Sequence, residues 1–425
     1  MIFIWLSPVF IAVNIYYIYE ICKWLSAIEK AVCVRKNLEP VRILIRFVKI
    51  MYGILWSIAS LAIYVAFLIP SVRKSENSTF FVLKRVLKLI GNYHLGVFIY
   101  MGMAFVVVLV CRLFEIIFLK IKGKKVTKDR LAFNLRRSVL GFVYVSFIVA
   151  ITLYGAHKAS DIKDHRYEIS LDKSFGEVRD LKMVMVADLH LGYNIGVYQM
   201  EKMVRLINEE DPDLVVIAGD IFDNEYEALD DPERLIELLS SIKSKYGVYA
   251  VYGNHDVSEK IIGGFTFNWK EPGKGSAKEM DEFLEKSGIT LLTDEAVCIN
   301  DSFYLYGRPD YERPGKNVTV RKTPMELVEG LDTTKPIIVI DHEPRELKEL
   351  SEAGVDIDLC GHTHDGQFFP MNLTSRYFTW ENSAGLLIKG DMFNIVTSGV
   401  GLFGPNIRIG TEAEICTILA HGDSH

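Results

Sequence analysis

The chain has 425 residues, 48 Lys+Arg against 54 Asp+Glu and six cysteines, and half of it is hydrophobic. Charge is unevenly spread: residues 1–156 hold 21 basic and 6 acidic side chains, the remainder 27 and 48, which indicates two domains in different surroundings. An acidic second half argues against nucleic-acid binding, because phosphate contacts depend on Lys and Arg, and cysteines without metal-ligand spacing argue against a thiolate site or a disulfide framework.

Four apolar runs come first, at roughly 2–19, 47–70, 95–119 and 138–156. A helix rises about 1.5 Å per residue and needs about 20 apolar residues to cross the hydrocarbon core. The runs therefore predict a membrane domain over 1–156 with about four transmembrane helices. The first run lacks the basic opening of a signal peptide and is read as a span. The segment 21–46 carries Lys23, Lys30, Arg35, Lys36, Arg42 and Arg46, and 120–137 carries Lys120, Lys122, Lys124, Lys125, Lys128, Arg130, Arg136 and Arg137. Fewer cations flank the other ends: Arg73, Lys74, Lys84, Arg85 and Lys88 in one loop, Lys158, Lys163 and Arg166 after the last run. Basic loops stay in the cytoplasm, so a multi-pass protein of the cell membrane is expected, with the chain after Ala156 outside the cytoplasm. In the third run Arg112 and Glu115 either pair at spacing three on one helix face or sit near the membrane surface.

Residues 157–175 are polar, without an apolar period, and read as a linker to a second domain over 176–420. There, apolar runs of four or five residues each end at a polar cluster. Met183–Ala187 leads into Asp188-Leu-His190, Leu214–Ala218 into Gly219-Asp220-Ile-Phe-Asp223, and Val248–Tyr252 into Gly253-Asn254-His255-Asp256. Ile337–Ile340 leads into Asp341-His342, and Ile357–Cys360 into Gly361-His362-Thr-His364. Continuous apolar runs bounded by turn residues suit strands buried on both faces. Helical patterns at 198–209 and 232–245, the second opened by Asp230-Asp231-Pro232, alternate with the early strands. That order predicts an α/β domain with every cluster at the carboxyl ends of the strands, where such sheets bind ligands. The stretch 257–280, with Gly263-Gly264 and Glu271-Pro-Gly-Lys-Gly275, reads as a long loop beside the site.

Carboxylate, imidazole and one amide oxygen are the ligand types that hold divalent cations. Any one cluster arises easily by chance, but five of the ten histidines fall in these clusters, each after a strand. The set announces a dinuclear hydrolase.

The order and spacing of the clusters resemble those of the calcineurin-like metallophosphoesterase superfamily, over roughly residues 180–418. The tail Gly361-His-Thr-His-Asp-Gly-Gln367, with Val396-Thr-Ser-Gly-Val-Gly401 and Gly404-Pro-Asn-Ile-Arg408, is similar to its bacterial membrane-associated branch. The resemblance implies a pair of mixed sheets flanked by helices, a four-layer α/β/β/α sandwich following the N-terminal α-helical transmembrane bundle. It implies two divalent metal ions of the Mn²⁺, Fe²⁺ or Zn²⁺ type. Asp188, His190 and His364 would bind the first, Asn254, His342 and His362 the second, and Asp220 would bridge them. A water shared by two cations is acidified toward neutrality and yields a bridging hydroxide for in-line attack on phosphorus. His255 is implied as the acid that protonates the leaving oxygen. Asp223 matches the carboxylate that orients it, with Asp256 the competing partner.

Asp365 stands where this branch has Gly and would add negative charge beside the phosphate pocket. No paired arginines follow Asp223, which disfavours a phosphoprotein substrate. Arg308 and Arg408 are the cations available for phosphate recognition, their plainer reading being surface residues. The expectation is a membrane-anchored phosphodiesterase or pyrophosphatase whose partners are the lipid bilayer and a phosphate ester, lipid-linked or from the envelope. The alternatives are a phosphomonoesterase, an inactive phosphoesterase-like sensor or binding protein, and a transporter carrying a hydrolase.

Overall fold

The structure is a computed structural model that describes all residues except 1, 34–37, 123–129, 260, 263–264, 267–274, 316–317, 319 and 424–425. Arg35, Lys36, Lys124, Lys125 and Lys128, the Gly263-Gly264 pair and most of Glu271–Gly275 thus lie outside the described residues. Two compact units form: residues 1–68 with 87–154, and residues 69–86 with 155–425.

The first unit is built from α1 (Ile2–Cys33), α2 (Glu39–Leu68), α3 (Ser78–Ile121) and α4 (Arg130–Ser160), the last two extending beyond it. Among the described residues three helices, α2, α3 and α4, are long and apolar enough to cross a membrane. The run 2–19 lies in α1, the side chains of whose first residues are outside the described set. Phe47, Leu55, Phe114 and Phe142 point outward, as side chains facing lipid would. Some polar groups pair with one another inside the bundle, where water would not serve them. Asn14 Oδ1 accepts from Trp56 Nε1 (2.8 Å) and lies 2.9 Å from His94 Nε2, tying α1, α2 and α3 together. Glu115 does not pair with Arg112; it takes two bonds from Arg136 of α4, at 2.6 and 2.8 Å. Two parallel bonds from one guanidinium make this a bidentate pair between α3 and α4.

The second unit contains fourteen strands among its described residues. They are β1 (Ile162–Ser170), β2 (Asp180–Val186), β3 (Leu214–Ala218), β4 (Val248–Val251), β5 (Ile261–Ile262), β6 (Phe265–Thr266) and β7 (Ile289–Leu291). Then follow β8 (Glu295–Ile299), β9 (Phe303–Gly307), β10 (Ile337–Ile340), β11 (Ile357–Cys360), β12 (Gly385–Lys389), β13 (Met392–Val396) and β14 (Ala413–His421). One six-stranded sheet has the order β1-β14-β2-β3-β4-β7, the other β12-β13-β11-β10-β9-β8. Both are mixed: β2, β3 and β4 run parallel while β14 runs antiparallel to β2, and β12 and β8 close the second sheet antiparallel.

Alternation along β2 explains the layers. Val184 and Val186 face Met200, Met203 and Val204 of α5 (Val197–Glu210), and the same core includes Leu235 and Leu239 of α6 (Pro232–Ser240) and Phe283 of α7 (Lys278–Lys286). Met183 and Met185 face the other way, into a core shared with Leu305, Ile338, Ile340 and Leu359 of the second sheet. Ile337 and Val339 then pack outward on Leu347 and Leu350 of a short helix. The result is an α/β/β/α stack, and strands sandwiched on both faces need the unbroken apolar runs seen in the sequence. Asp231 caps α6, its Oδ1 accepting from Arg234 N at 3.1 Å with Pro232 in the first turn.

The expected linker over 157–175 is corrected by this topology. The chain stays helical to Ser160 and then forms β1, the edge strand paired in parallel with β14 from Ile162 to Ser170. An edge strand needs few apolar residues, and only Ile162 and Ile169 of β1 are buried, so its sequence reads as polar.

Candidate metal centre

All five clusters meet at one end of the sheets. Backbone bonds stitch their loops: Asp188 N to Gly219 O (3.0 Å), His190 N to Asp220 O (3.0 Å), Asp223 N to Leu191 O (3.0 Å) and Gly361 N to His342 O (3.0 Å). Asp188, His190, Asp220, His362 and His364 all have positive φ, between 47° and 69°. Left-handed backbone costs a non-glycine residue about 1 kcal/mol or more, tolerated where the surroundings enforce it. Gly361 is required for closeness, since a Cβ there would lie 2.5 Å from Ala187 Cβ and 2.8 Å from Asp188 Oδ2.

Two groups of donor atoms result. In the first, His190 Nε2 and His364 Nε2 are 3.0 Å apart, and Asp188 Oδ1 is 3.6 Å from His364 Nε2. In the second, His342 Nε2 and His362 Nδ1 are 3.2 Å apart, with Asn254 Oδ1 at 3.1 and 2.9 Å from them. Asp220 Oδ2 faces both groups, 3.7 Å from His190 Nε2 and 3.3 Å from His342 Nε2, while its Oδ1 accepts the amide of His255 at 2.7 Å. His342 Nδ1 meets the carbonyl of Ala218 at 2.9 Å, which leaves its Nε2 as the lone-pair nitrogen. Convergence of imidazole, carboxylate and amide oxygen atoms at one place suits divalent-cation binding. The sets Asp188/His190/His364 and Asp220/His342/His362 each bring their ligand atoms within 4.8 Å, as does His190/Asp223/His255.

His255 sits beside this centre, 6% exposed. Its Nδ1 is 2.6 Å from Asn224 Oδ1 and 3.8 Å from Asp223 Oδ1, and Asp223 Oδ1 is equally 3.8 Å from His190 Nδ1. Asp256 has other work: it accepts the amides of Ile221 (3.2 Å), Phe222 (2.8 Å) and Gly253 (2.8 Å), pinning the turn that carries Asp220. Asn224 was not among the sequence candidates; its position directly after Asp223 was the available signal. Burial pushes His255 down to about 4, against the pull of Asp220 and Asp223. Asp188 is pushed up to about 6, chiefly by burial.

The three charged residues weighed beyond the clusters all turn inward. Arg308 and Arg408 are fully buried, contrary to a surface or phosphate-facing reading. Arg308 pairs with Asp341 and Glu346 at 2.7 Å each, and Arg408 donates to the carbonyls of Ser398, Gly401 and Glu412 at 2.7–2.8 Å. Their terminal nitrogens are thus engaged within the fold. Asp365 is 2% exposed and held by Arg376 and Ser383, so its charge is met within the fold. Arg345 lies over the Tyr311 and Trp380 rings at 4.9 and 5.0 Å and pairs with Glu343, and Trp380 meets His362 edge-on at 5.2 Å.

The family described as Calcineurin-like phosphoesterase matches residues 181–366. The chain is 27% identical over 299 residues to a zebrafish (Danio rerio) transmembrane protein with metallophosphoesterase domain, covering 67% of this chain and 63% of that one. It therefore spans less than two thirds of that relative. It is 28% identical over 262 residues to an uncharacterized metallophosphoesterase of Aquifex aeolicus, covering 61% and 92%, and 25% identical over 292 residues to one of Bacillus subtilis, covering 67% and 98%.

Proposed function

Because this chain carries a calcineurin-like metallophosphoesterase domain, we propose that it is a membrane-anchored dinuclear phosphoesterase acting on phosphodiester or pyrophosphate bonds. The observation that carries this reading is the single Asp220 oxygen facing both imidazole groups. Asp188, His190 and His364 would hold one divalent cation, Asn254, His342 and His362 the other, and Asp220 both. Bound there, such ions would supply Lewis acidity toward the phosphoryl group and toward water.

The remaining work falls to side chains. Asn224 takes the Nδ1 side of His255, so Nε2 is the nitrogen left to give a proton to the departing oxygen. A phosphoester against that ring adds negative charge, which raises the pKa that burial lowers and favours the proton-bearing form. Arg345, over the Tyr311 and Trp380 rings and paired with Glu343, carries donors that the part of the substrate beyond the scissile phosphate could use. Phe369, Met371, Leu373, Tyr377 and Phe378 are exposed between His364 and Trp380, Phe378 by 86%. An apolar rim of this kind suits a lipid-linked substrate. The test is whether full-length protein in detergent with Mn²⁺ hydrolyses bis(4-nitrophenyl) phosphate faster than the monoester; a preference for the monoester would discard the diesterase assignment.

The active site is read as extracytoplasmic. Residues 69–86 and 155–425 belong to one folded unit, so the two membrane segments between them leave and return on the same side. Arg73 pairs with Glu279 (2.8 Å), Lys84 with Glu225 (3.2 Å) and Arg85 with Asp230 (3.2 Å), so this loop's cations are used within the domain. The loop 120–137 keeps the stronger positive bias and belongs in the cytoplasm. With native cysteines replaced, a cysteine at Ser174 should react with an impermeant maleimide in intact cells and one at Lys125 should not. The opposite pattern would invert the topology and remove the case for an envelope substrate.

A further inference from the structure

Residues 69–86 join two membrane helices, yet they fold as part of the catalytic unit. Lys84 is the most enclosed cation of this strap, its side chain 2% exposed, with Nζ 3.2 Å from Glu225 Oε2 and 2.5 Å from Ser71 Oγ. Ser71 Oγ donates to the same Glu225 oxygen at 2.7 Å, and Glu225 is itself 5% exposed. The Lys84 ammonium lies 5.4 Å from the centre of the Tyr193 ring, against which Phe81 packs at 5.5 Å. Tying a loop down does not require burying an ammonium. A buried ion pair adds little net stability, and its use is to fix one geometry.

What it fixes lies one residue away. Asn224, at φ 64°, donates from its amide N to His255 O (3.1 Å) and from Nδ2 to Val257 O (3.0 Å), and its Oδ1 meets His255 Nδ1 at 2.6 Å. Asp223, on its other side, faces His190 and His255. Three consecutive residues thus touch the metal centre, the proposed acid and the strap. We propose that Lys84, with Ser71, is a positioning group for His255: by clamping Glu225 it sets the turn at Asn224 and with it the direction of the imidazole. The strap between α2 and the body of α3 then supplies a piece of the active-site support. This inference rests on the reading of His255 as leaving-group acid.

The test uses full-length protein in detergent and two classes of phosphodiester, one with an alkyl and one with a nitrophenyl leaving group. Lys84→Met should lower kcat on the alkyl ester by roughly 10–100-fold, as small misplacements of a catalytic group do, with far less effect on the nitrophenyl ester and unchanged metal content. Lys84→Met takes the ammonium away from a buried carboxylate, so the double variant Lys84→Met/Glu225→Gln, which removes both charges, is measured beside it and should show the same split. Equal losses on both esters, losses that follow metal content, or wild-type behaviour of the double variant would overturn the positioning role. His255→Ala run in parallel separates the two readings. If it shows no split, the acid assignment falls and this inference with it; if it shows the split and the Lys84 variants do not, only the strap's role falls.

Discussion

Asp220→Asn should reduce phosphoester hydrolysis by about three orders of magnitude or more. Both donor groups face the same Asp220 oxygen, so one neutralised side chain weakens both at once. Asn keeps the volume and an oxygen able to accept the His255 amide that Oδ1 now holds at 2.7 Å, which confines the change to charge. Several kcal/mol of transition-state stabilisation is the usual contribution of such ions, and each 1.4 kcal/mol is about tenfold in rate. Metal analysis of the purified variant should give less than two ions per chain. Wild-type rates with full metal content would rule out a bridging role.

His255→Ala should behave differently. The acid is needed when the leaving oxygen is basic, so alkyl esters should slow by about 10²–10⁴-fold while nitrophenyl esters, which leave without a proton, slow far less. Metal content should remain near that of the wild type, since His255 contributes only its backbone amide to Asp220. Equal losses on both ester classes, or a lost metal, would assign the residue another role.

The parts of this molecule that were legible in sequence are those where one local signal suffices. Strands β2, β3, β4, β10 and β11 are buried on both faces and end at the polar clusters, so apolar runs and polar punctuation located them together. Strand β1 carried no such signal because an edge strand meets solvent, and its pairing partner β14 lies some 250 residues later. The direction of a charged side chain was equally hidden. Arg308 and Arg408 resemble surface cations until the fold brings Asp341, Glu346 and the carbonyls around Ser398 to them. Asn224 and the Lys84–Glu225 pair depend on contacts across 31 and 141 residues, which no window of a single sequence contains.

The most direct test of a dinuclear phosphoesterase is a metal titration of the full-length protein. Chelated exhaustively and assayed on bis(4-nitrophenyl) phosphate, it should lose its activity and regain it as Mn²⁺ is returned, with the rise complete near two ions per chain. Full activity from protein shown to retain well under one ion per chain would contradict the account.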